Sequence, residues 1–227
     1  MIVRHARTRT VLAAIAVVLP GSLRGVVHRR LLGYEIDPEA RVGHAFIDVD
    51  RLRVGAGASI GSLTAIRGCE DVELGPEATI GPLVWVNAVR KSGRYFVGQE
   101  RHPALIMGRG ALISSLHMID ACDEIRMGDF ADFGGFGSQI LTHSLDLVKM
   151  RQSTTPVTIG HHVMIGTSVV LLPGTDIPEC SIVAAGSVVS ANSTHESHHL
   201  YSGVPAQAER RLSPRIKFFH HAVGDVL

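Results

Sequence analysis

Two histidine–aspartate pairs are the clearest candidates for chemistry in this sequence. His117 and Asp120 stand three residues apart, and the same spacing recurs at His143 and Asp146. An imidazole titrates near neutral pH, so it can take a proton from a reacting group, and a neighbouring carboxylate can orient its ring. The sequence leaves open whether Asp146 or a backbone carbonyl orients His143.

A spacing of six residues between aliphatic side chains indicates the scaffold that carries these residues. Neither the helical period of 3.6 nor simple alternation explains such a spacing. It predicts a triangular prism in which each hexapeptide forms one short strand and one corner, and three hexapeptides form a coil. The clearest run of these anchors is Ile159, Ile165, Leu171, Ile177, Val183 and Val189.

The same spacing appears upstream, often with glycine directly after the anchor. We therefore predict an all-β solenoid over residues 35–192, with short helical segments in residues 1–34 and in the closing segment and tail, residues 193–227. The upstream anchors are Ile36 and Val42; Val54, Ile60, Ile66 and Val72; Leu74, Ile80 and Val86; Met107, Ile113, Ile119 and Ile125; and Met127.

Composition agrees with many short strands and limits the classes of partner. Hydrophobic residues make up 45% of the chain but aromatic residues only 5%, and there are 24 glycines. The formal net charge of +1 provides no field that would attract nucleic acid. The three cysteines are far apart in sequence and show no disulfide framework or CxxC spacing, which favours a reducing compartment.

Two polar segments interrupt the repeat, at residues 87–104 and 143–156. Loops that leave a rigid scaffold often carry function, and His143 opens the second of them. His117 lies four residues after the anchor Ile113, where the repeat has a small residue. Two interpretations stay open for it: it positions a substrate or the base, or the repeat shifts there and the side chain faces solvent.

The pattern [LIV]-G-x-x-[STAV]-x over residues 36–190 resembles the hexapeptide-repeat acyltransferases, whose prisms are left-handed parallel β-helices. The segment from Ile140 through His143, followed by the return at Pro156-Val157-Thr158-Ile159-Gly160, is similar to the sugar and xenobiotic O-acetyltransferases of that family. The resemblance implies that His143 is the general base, which takes the proton of an acceptor hydroxyl before the hydroxyl attacks a thioester. It also implies a homotrimer with the donor groove shared between subunits.

The resemblance extends to the donor site. Gly166 and Thr167 match a Gly-Ser or Gly-Thr pair beside the pantetheine arm, Ala185 matches an alanine whose backbone meets that arm, and Ser190 matches a coenzyme A contact. The segment Tyr201–Ala206 is similar to the one that closes the last coil, which makes Arg210 a candidate for the nucleotide phosphates or else a solvated basic residue. Met164, Ala191 and Gln207 depart from the pattern and weaken the phosphate contacts, so acetyl-CoA is the default donor.

Residues 1–34 contain six arginines and no acidic residue, with an apolar run from Val11 to Leu19. This run is shorter than the ~20 residues that span a bilayer. Three interpretations stay open: a helix packed on the body or on a partner subunit, a basic segment on the anionic inner face of a membrane, or a cleaved or spanning segment.

The leading hypothesis is a cytoplasmic, acetyl-CoA-dependent O-acyltransferase that requires no metal and acts on a sugar or surface glycan. N-acyl transfer to an amino sugar is a variant of it. A non-enzymatic scaffold or binding protein is the alternative from another class. A zinc enzyme similar to carbonic anhydrase needs three suitably spaced histidine ligands; His161 and His162 are adjacent, so they would point to opposite faces of a strand.

Overall fold

The computed structural model describes residues 5–91, 95–193 and 195–222 as a left-handed parallel β-helix with three sheets, which confirms the predicted fold class. In these residues seven coils each give one strand to each sheet. The first sheet contains β1 (Glu35–Ile36), β4 (Arg51–Val54), β7 (Asp71–Leu74), β10 (Ala104–Met107), β13 (Ile125–Met127), β18 (Val157–Ile159) and β21 (Asp176–Ile177).

The second sheet contains β2 (Arg41–Val42), β5 (Ser59–Ile60), β8 (Thr79–Ile80), β11 (Leu112–Ile113), β14 (Asp132–Phe133), β19 (Met164–Ile165) and β22 (Ile182–Val183), followed by the hairpin β24 (His199–Gly203) and β25 (Ala206–Arg211). The third sheet contains β3 (Phe46–Asp48), β6 (Ala65–Arg67), β9 (Trp85–Asn87), β12 (Met118–Asp120), β15 (Gln139–Leu141), β20 (Val170–Leu171) and β23 (Val188–Val189).

The aliphatic anchors of successive coils stack on one another and form the core. Parallel pairing aligns each anchor with the next, so the prism interior is a set of continuous apolar columns, and each buried Val, Leu or Ile contributes about 1.5–3 kcal/mol. The column of the second sheet consists of Ile60, Ile80, Ile113, Phe133, Ile165 and Val183, all almost fully buried.

Coil length varies along the prism, which explains a break in the spacing of six. Ile165 pairs with Val183, 18 residues later, whereas Ile60 pairs with Ile80, 20 residues later. The longer coils have a four-residue strand in the first sheet. In β7 this strand turns both Val72 and Leu74 inward, so two anchors two residues apart lie in one strand.

Tight corners join the three sheets, and two of these corners differ clearly from the third. At the corner between the second and third sheets, Leu63, Leu83 and Leu116 stack with positive φ near 60° and their side chains are exposed; we call this the leucine corner. At the corner between the third and first sheets, both interruptions leave the prism; we call this the loop corner.

The second interruption folds as an antiparallel hairpin of β16 (His143–Asp146) and β17 (Arg151–Thr154). The first interruption packs against it, since the Gln99 side chain accepts a hydrogen bond from the Thr154 N–H and donates one to the Gln152 carbonyl. The two segments therefore form one body at the loop corner.

Helices cover the start of the prism. The segments are α1 (Ala6–Val18), α2 (Gly21–Val26) and a turn of π-helix (Val27–Leu31), and α1 packs on β3. Near the other end, a 3₁₀ turn (Lys217–His220) follows the β24–β25 hairpin. Among the described helices, none has the length and apolar character that a membrane crossing requires.

Candidate functional site

The third sheet brings His143 and Asp120 together at the loop corner. β12 pairs with β15 in parallel, so Asp120 lies beside Leu141 at the end of the two strands. The chain continues through Thr142 to His143, and its Nδ1 atom is in hydrogen-bonding contact with Oδ2 of Asp120. Residues 23 positions apart in sequence thus form a histidine–carboxylate dyad.

The contact between His143 and Asp120 shifts the pKa of both residues. The hydrogen bond to Asp120 raises the pKa of His143, and partial burial opposes this only in part. Burial alone would raise the pKa of Asp120, but the hydrogen bonds from His143 and Cys122 outweigh it and lower the pKa. Asp120 therefore stays ionised, and whenever His143 is neutral Asp120 holds it as the Nδ1–H tautomer, which leaves the Nε2 lone pair to accept a proton.

The backbone around Asp120 fixes its position. The Cys122 N–H donates to Oδ1 of Asp120 at 3.0 Å, while the Thr142 hydroxyl donates to the Asp120 carbonyl at 2.8 Å. Thr142 also accepts a hydrogen bond from the Asp123 N–H at 2.9 Å. The carboxylate is thus held between two neighbouring coils rather than by a flexible loop.

Side chains of the first interruption close one side of the dyad. The Phe96 ring is buried and meets the His143 ring edge-on, with 5.9 Å between centroids. The Arg101 guanidinium lies over Phe96 at 4.6 Å and donates to the Cys122 carbonyl at 2.9 Å. The imidazole therefore has an apolar neighbour that excludes water from one edge and limits its rotation.

A surface cavity of about 360 Å³ begins at the dyad and runs along the outer face of the third sheet. Its floor is largely apolar, with Trp85 and Met118 more than half exposed, and it has polar groups at the end near the dyad. It is large enough for a small ligand or one sugar ring. The lining residues are Trp85, Asn87, Met118, Ile119, Asp120, Gln139, Leu141 and His143.

The acid beside His143 is Asp120, so neither of the two alternatives that the sequence left open, Asp146 or a backbone carbonyl, orients the imidazole. His143 and Asp146 occupy the two ends of the four-residue strand β16, and side chains three positions apart on a strand point to opposite faces. Asp146 instead accepts hydrogen bonds from the Val148 and Lys149 N–H groups, both at 3.0 Å, and so shapes the hairpin turn.

His117 is buried inside the prism rather than at the surface. Its Nδ1 accepts a hydrogen bond from the Ser138 N–H at 3.1 Å, its Nε2 lies 2.9 Å from the Ser114 hydroxyl, and its ring lies near Phe133. Desolvation lowers its pKa. Because it precedes β12 at the leucine corner while His143 follows β15 at the loop corner, about five residues or roughly 16 Å of strand separate them.

His117 therefore does not contact the dyad, and the interpretation that the repeat shifts and turns it to solvent is also wrong. The repeat keeps its inward direction at this position. A histidine fits because a neighbouring serine and a backbone N–H satisfy both ring nitrogens.

The residues predicted to meet the pantetheine arm lie at the leucine corner. Gly166 precedes Thr167, and Ala185 sits on the next coil; a Cβ on Gly166 would come within 2.8 Å of the Ala185 nitrogen. Thr167 exchanges hydrogen bonds with the backbone of Phe136, one coil earlier. These residues form a narrow, stacked surface that only small side chains permit.

Ser190 and Arg210 occupy other places. Ser190 follows β23 at the loop corner, two coils beyond His143, which is about 10 Å along the prism, and its hydroxyl bonds Ser193 at 2.8 Å. Arg210 lies on β25 opposite Leu200 and is exposed. In one chain, the predicted donor residues are thus distributed over two corners and the closing hairpin.

Asp120, Cys122 and His143 place their ligand atoms within 4.8 Å of one another, a set that could hold a metal ion. The same carboxylate and imidazole form the dyad. Burial and the hydrogen bond to Asp120 raise the pKa of the Cys122 thiol to about 12. At neutral pH this thiol is protonated and acts as a hydrogen-bond donor to the carboxylate.

Sequence reasoning identified Asp120 but did not assign it to His143. The signal was present in the repeat, because Asp120 and Leu141 occupy the same position of successive coils, the last of a third-sheet strand. Trp85, Met118 and Phe96 were also missed. Trp85 and Met118 face outward between inward anchors, where the repeat places no restriction on residue type.

Comparison with known proteins finds no family model that matches the chain. The galactoside O-acetyltransferase of Escherichia coli strain K12 is 35% identical to it over 65 residues, which cover 29% of this chain and 31% of that enzyme. The match thus spans about a third of the length of this curated relative.

Solved structures of similar shape include a mutant of AntD, an N-acyltransferase from Bacillus cereus in complex with dTDP and coenzyme A. It has a TM-score of 0.49 and 17% identity over 78% of this chain and 86% of that one. A hexapeptide transferase family protein from Anaplasma phagocytophilum has a TM-score of 0.45 and 19% identity over 82% of both chains. At these identities the likeness concerns the fold and identifies no activity.

Proposed function

We propose that this hexapeptide-repeat β-helix protein is an acyl-CoA-dependent O-acyltransferase that transfers an acetyl group to a hydroxyl of a sugar or surface glycan. The observation that carries the proposal is the His143–Asp120 dyad at one end of an apolar-floored cavity. The matched segment of a galactoside O-acetyltransferase supports the same class of reaction. A coenzyme A donor further favours a cytoplasmic location.

In the proposed reaction, Nε2 of His143 takes the proton of the acceptor hydroxyl while the oxygen attacks the thioester carbonyl. Asp120 stabilises the imidazolium that forms. The tetrahedral intermediate then collapses, the bond between carbon and sulfur breaks, and the coenzyme A sulfur leaves with the proton that His143 returns. The products are an ester and free coenzyme A, and His143 is neutral again.

The cavity suits a sugar ring better than a charged acceptor. The exposed faces of Trp85 and Met118 provide an apolar platform, and apolar platforms pack on the C–H faces of sugar rings. Asn87 and Gln139 add amide groups that can both donate and accept hydrogen bonds. No lysine or arginine is among the lining residues, which is unfavourable for a phosphorylated reacting group.

We propose a homotrimer because one chain holds the dyad and the stacked donor surface at different corners. The donor surface at Thr167 and Ala185 lies at the leucine corner, and a third-sheet strand separates it from His143. A second copy placed against that sheet would bring its own donor surface or its own base into the shared cavity. The exposed ladder of Leu63, Leu83, Leu116 and Phe136 provides apolar surface for such a contact.

A thermal titration with acetyl-CoA tests the donor, with ATP as the control ligand. A ligand that binds the folded state alone adds about 2.7 kcal/mol at 100 times its Kd. The expected result is a rise in Tm with acetyl-CoA that persists in His143→Ala, together with little rise for ATP. No rise with acetyl-, propionyl- or succinyl-CoA would reject the acyltransferase and favour a non-enzymatic scaffold.

Turnover tests the base. Release of the coenzyme A thiol is followed with a thiol-reactive dye while galactosides, amino sugars and glycans are screened as acceptors. His143→Ala should lower kcat by about 10²- to 10⁴-fold, the usual contribution of a general base. The matched control is His44→Ala, an exposed histidine on the first coils, which should leave kcat unchanged.

A further inference from the structure

The N-terminal helices expose a continuous set of aliphatic side chains. On α1, Val11, Ile15 and Val18 are 56%, 45% and 79% exposed, and their spacing of four and three residues places them on one side of the helix. Leu23 and Val26 on α2 are about half exposed as well. We call these five residues the aliphatic face.

The opposite side of α1 is fixed to the prism. Ala13 and Ala16 are fully buried, and Arg9 donates hydrogen bonds from Nη1 to the Leu32 carbonyl at 3.0 Å and from Nη2 to the Val49 carbonyl at 2.8 Å. Because these contacts set the rotation of the helix, α1 cannot turn its aliphatic face inward without breaking them. The face is therefore available to a partner.

The segment that carries this face is rich in arginine. The chain as a whole carries a formal charge of only +1, yet residues 1–34 contain six arginines and no acidic residue. Of these, Arg7, Arg29 and Arg30 are exposed in the structure. An exposed aliphatic face on a segment with exposed arginines is complementary to a surface that has both anionic headgroups and accessible hydrocarbon.

We propose that α1 and α2 dock peripherally on an anionic phospholipid bilayer, with the aliphatic face in the headgroup region and the arginines on lipid phosphates. α1 has 13 residues and is about 20 Å long, shorter than the ~30 Å hydrocarbon core, which agrees with a helix that lies on the surface. The attachment combines two weak signals and is reversible.

This docking deepens the proposed acyl transfer and, in this respect, rests on it. His143 follows the fifth coil and the helices cover the first, so four spacings of about 4.8 Å place the dyad roughly 19 Å along the prism from the docked end. If the helices rest on the bilayer, the reacting hydroxyl would be held at that distance plus the thickness of the helix layer, about 10 Å more. The acceptor class that fits is a glycan anchored to a lipid, with at least one sugar between the anchor and the reacting ring.

Vesicle co-sedimentation of the full chain tests the docking. The probes are vesicles of phosphatidylcholine alone and of phosphatidylcholine with a quarter phosphatidylglycerol. The wild-type protein should bind the anionic vesicles at least tenfold more tightly, and 0.5 M salt should weaken this binding because the Debye length falls to a few ångströms. Binding to neither vesicle type, or equal binding to both, would overturn the proposal.

A matched pair of triple variants tests the surface. Val11→Gln/Ile15→Gln/Val18→Gln removes the exposed aliphatic side chains of α1 with a residue that favours helix. The control removes three exposed aliphatic side chains from the loop corner: Val97→Gln/Leu147→Gln/Val148→Gln. The helix variant should bind anionic vesicles at least tenfold more weakly and keep the wild-type Tm, while the control binds normally.

Equal vesicle binding by the two variants would refute the assignment of the face. Without lipid, a change in sedimentation coefficient of the helix variant would also refute it, because the face would then join copies of the chain. The acetyl-CoA titration is run on the same preparations. If the helix variant keeps both its rise in Tm with acetyl-CoA and its vesicle binding, the docking alone is rejected. If the wild type shows no rise in Tm with acetyl-CoA, the proposed function is rejected.

Discussion

Replacement of Asp120 by asparagine removes the negative charge beside His143 and leaves the size of the side chain almost unchanged. The Asp120 side chain is 13% exposed and that of His143 40%, so solvent screens their interaction in part. A hydrogen bond to a charged group contributes about 1.5–3 kcal/mol, and screening places this one near the lower limit. At 1.36 kcal/mol for each factor of ten, kcat should fall by about tenfold.

The pH profile gives a sharper test than the rate. The proposed base acts when neutral, so the wild-type kcat/KM rises with pH as His143 loses its proton. The contact with Asp120 raises the pKa of His143, while burial lowers it. In Asp120→Asn only burial remains, and the acid limb of the profile should move to lower pH.

The assay is coenzyme A release at a series of pH values, with the acceptor that the screen identifies. Asp146→Asn is the matched control, because Asp146 shapes the hairpin turn and its substitution should leave the acid limb in place. An unchanged acid limb in Asp120→Asn, or the same shift in the control, would refute the assignment of the dyad.

Three further predictions concern stability and are measured by urea unfolding. His117→Ala removes the partner of the Ser138 N–H and opens a cavity in the prism, so the free energy of unfolding should fall by about 2–4 kcal/mol; a change below 1 kcal/mol would contradict the buried role. Gly68→Ala should lower the free energy of unfolding by several kcal/mol more than Gly98→Ala. Both glycines have positive φ, but only at position 68 would the new Cβ meet a carbonyl oxygen, at 2.0 Å; similar losses would contradict the packing. The hydrogen bond to Asp71 raises the pKa of His102, so the stabilisation from this bridge is complete below pH 6.5 and is lost as pH rises through the raised pKa. Over this pH range the free energy of unfolding should fall more in the wild type than in His102→Gln. Parallel pH curves for the two proteins would contradict the bridge.

The repeat predicted the fold because stacking requires it at every coil. An inward aliphatic residue recurs wherever a strand packs on the one before, so a pair such as Ile165 and Val183, 18 residues apart, follows from the spacing alone. The two-residue extension of β7 is harder to predict, since Val72 satisfies the spacing of six and Leu74 starts it again. Either residue alone would fit as the inward anchor of β7, and only the pairing of β7 with β10 shows that both point inward.

Only part of the site could be predicted from the sequence, because the site lies where the repeat is interrupted. His143 opens an interruption of the repeat, and an interruption is visible in sequence. Its acid partner lies one coil earlier, and proximity between coils depends on how many residues the intervening corners and strands contain. The spacing shared by the two histidine–aspartate pairs suggested local partners, whereas the contact of Asp120 with His143 joins the two pairs across parallel strands.

The helical cover at the start of the prism has a consequence for solubility. Every coil is a template for the next, so the first and last coils present open strand edges that could pair with another molecule. Near the last coil the hairpin β24–β25 extends the second sheet and ends it with an antiparallel strand rich in charged side chains. Over the first coil, α1 packs on β3 and so covers the edge of the third sheet. Removal of residues 1–34 would therefore expose that edge to a strand of another copy, with end-to-end association rather than unfolded chains as the expected product.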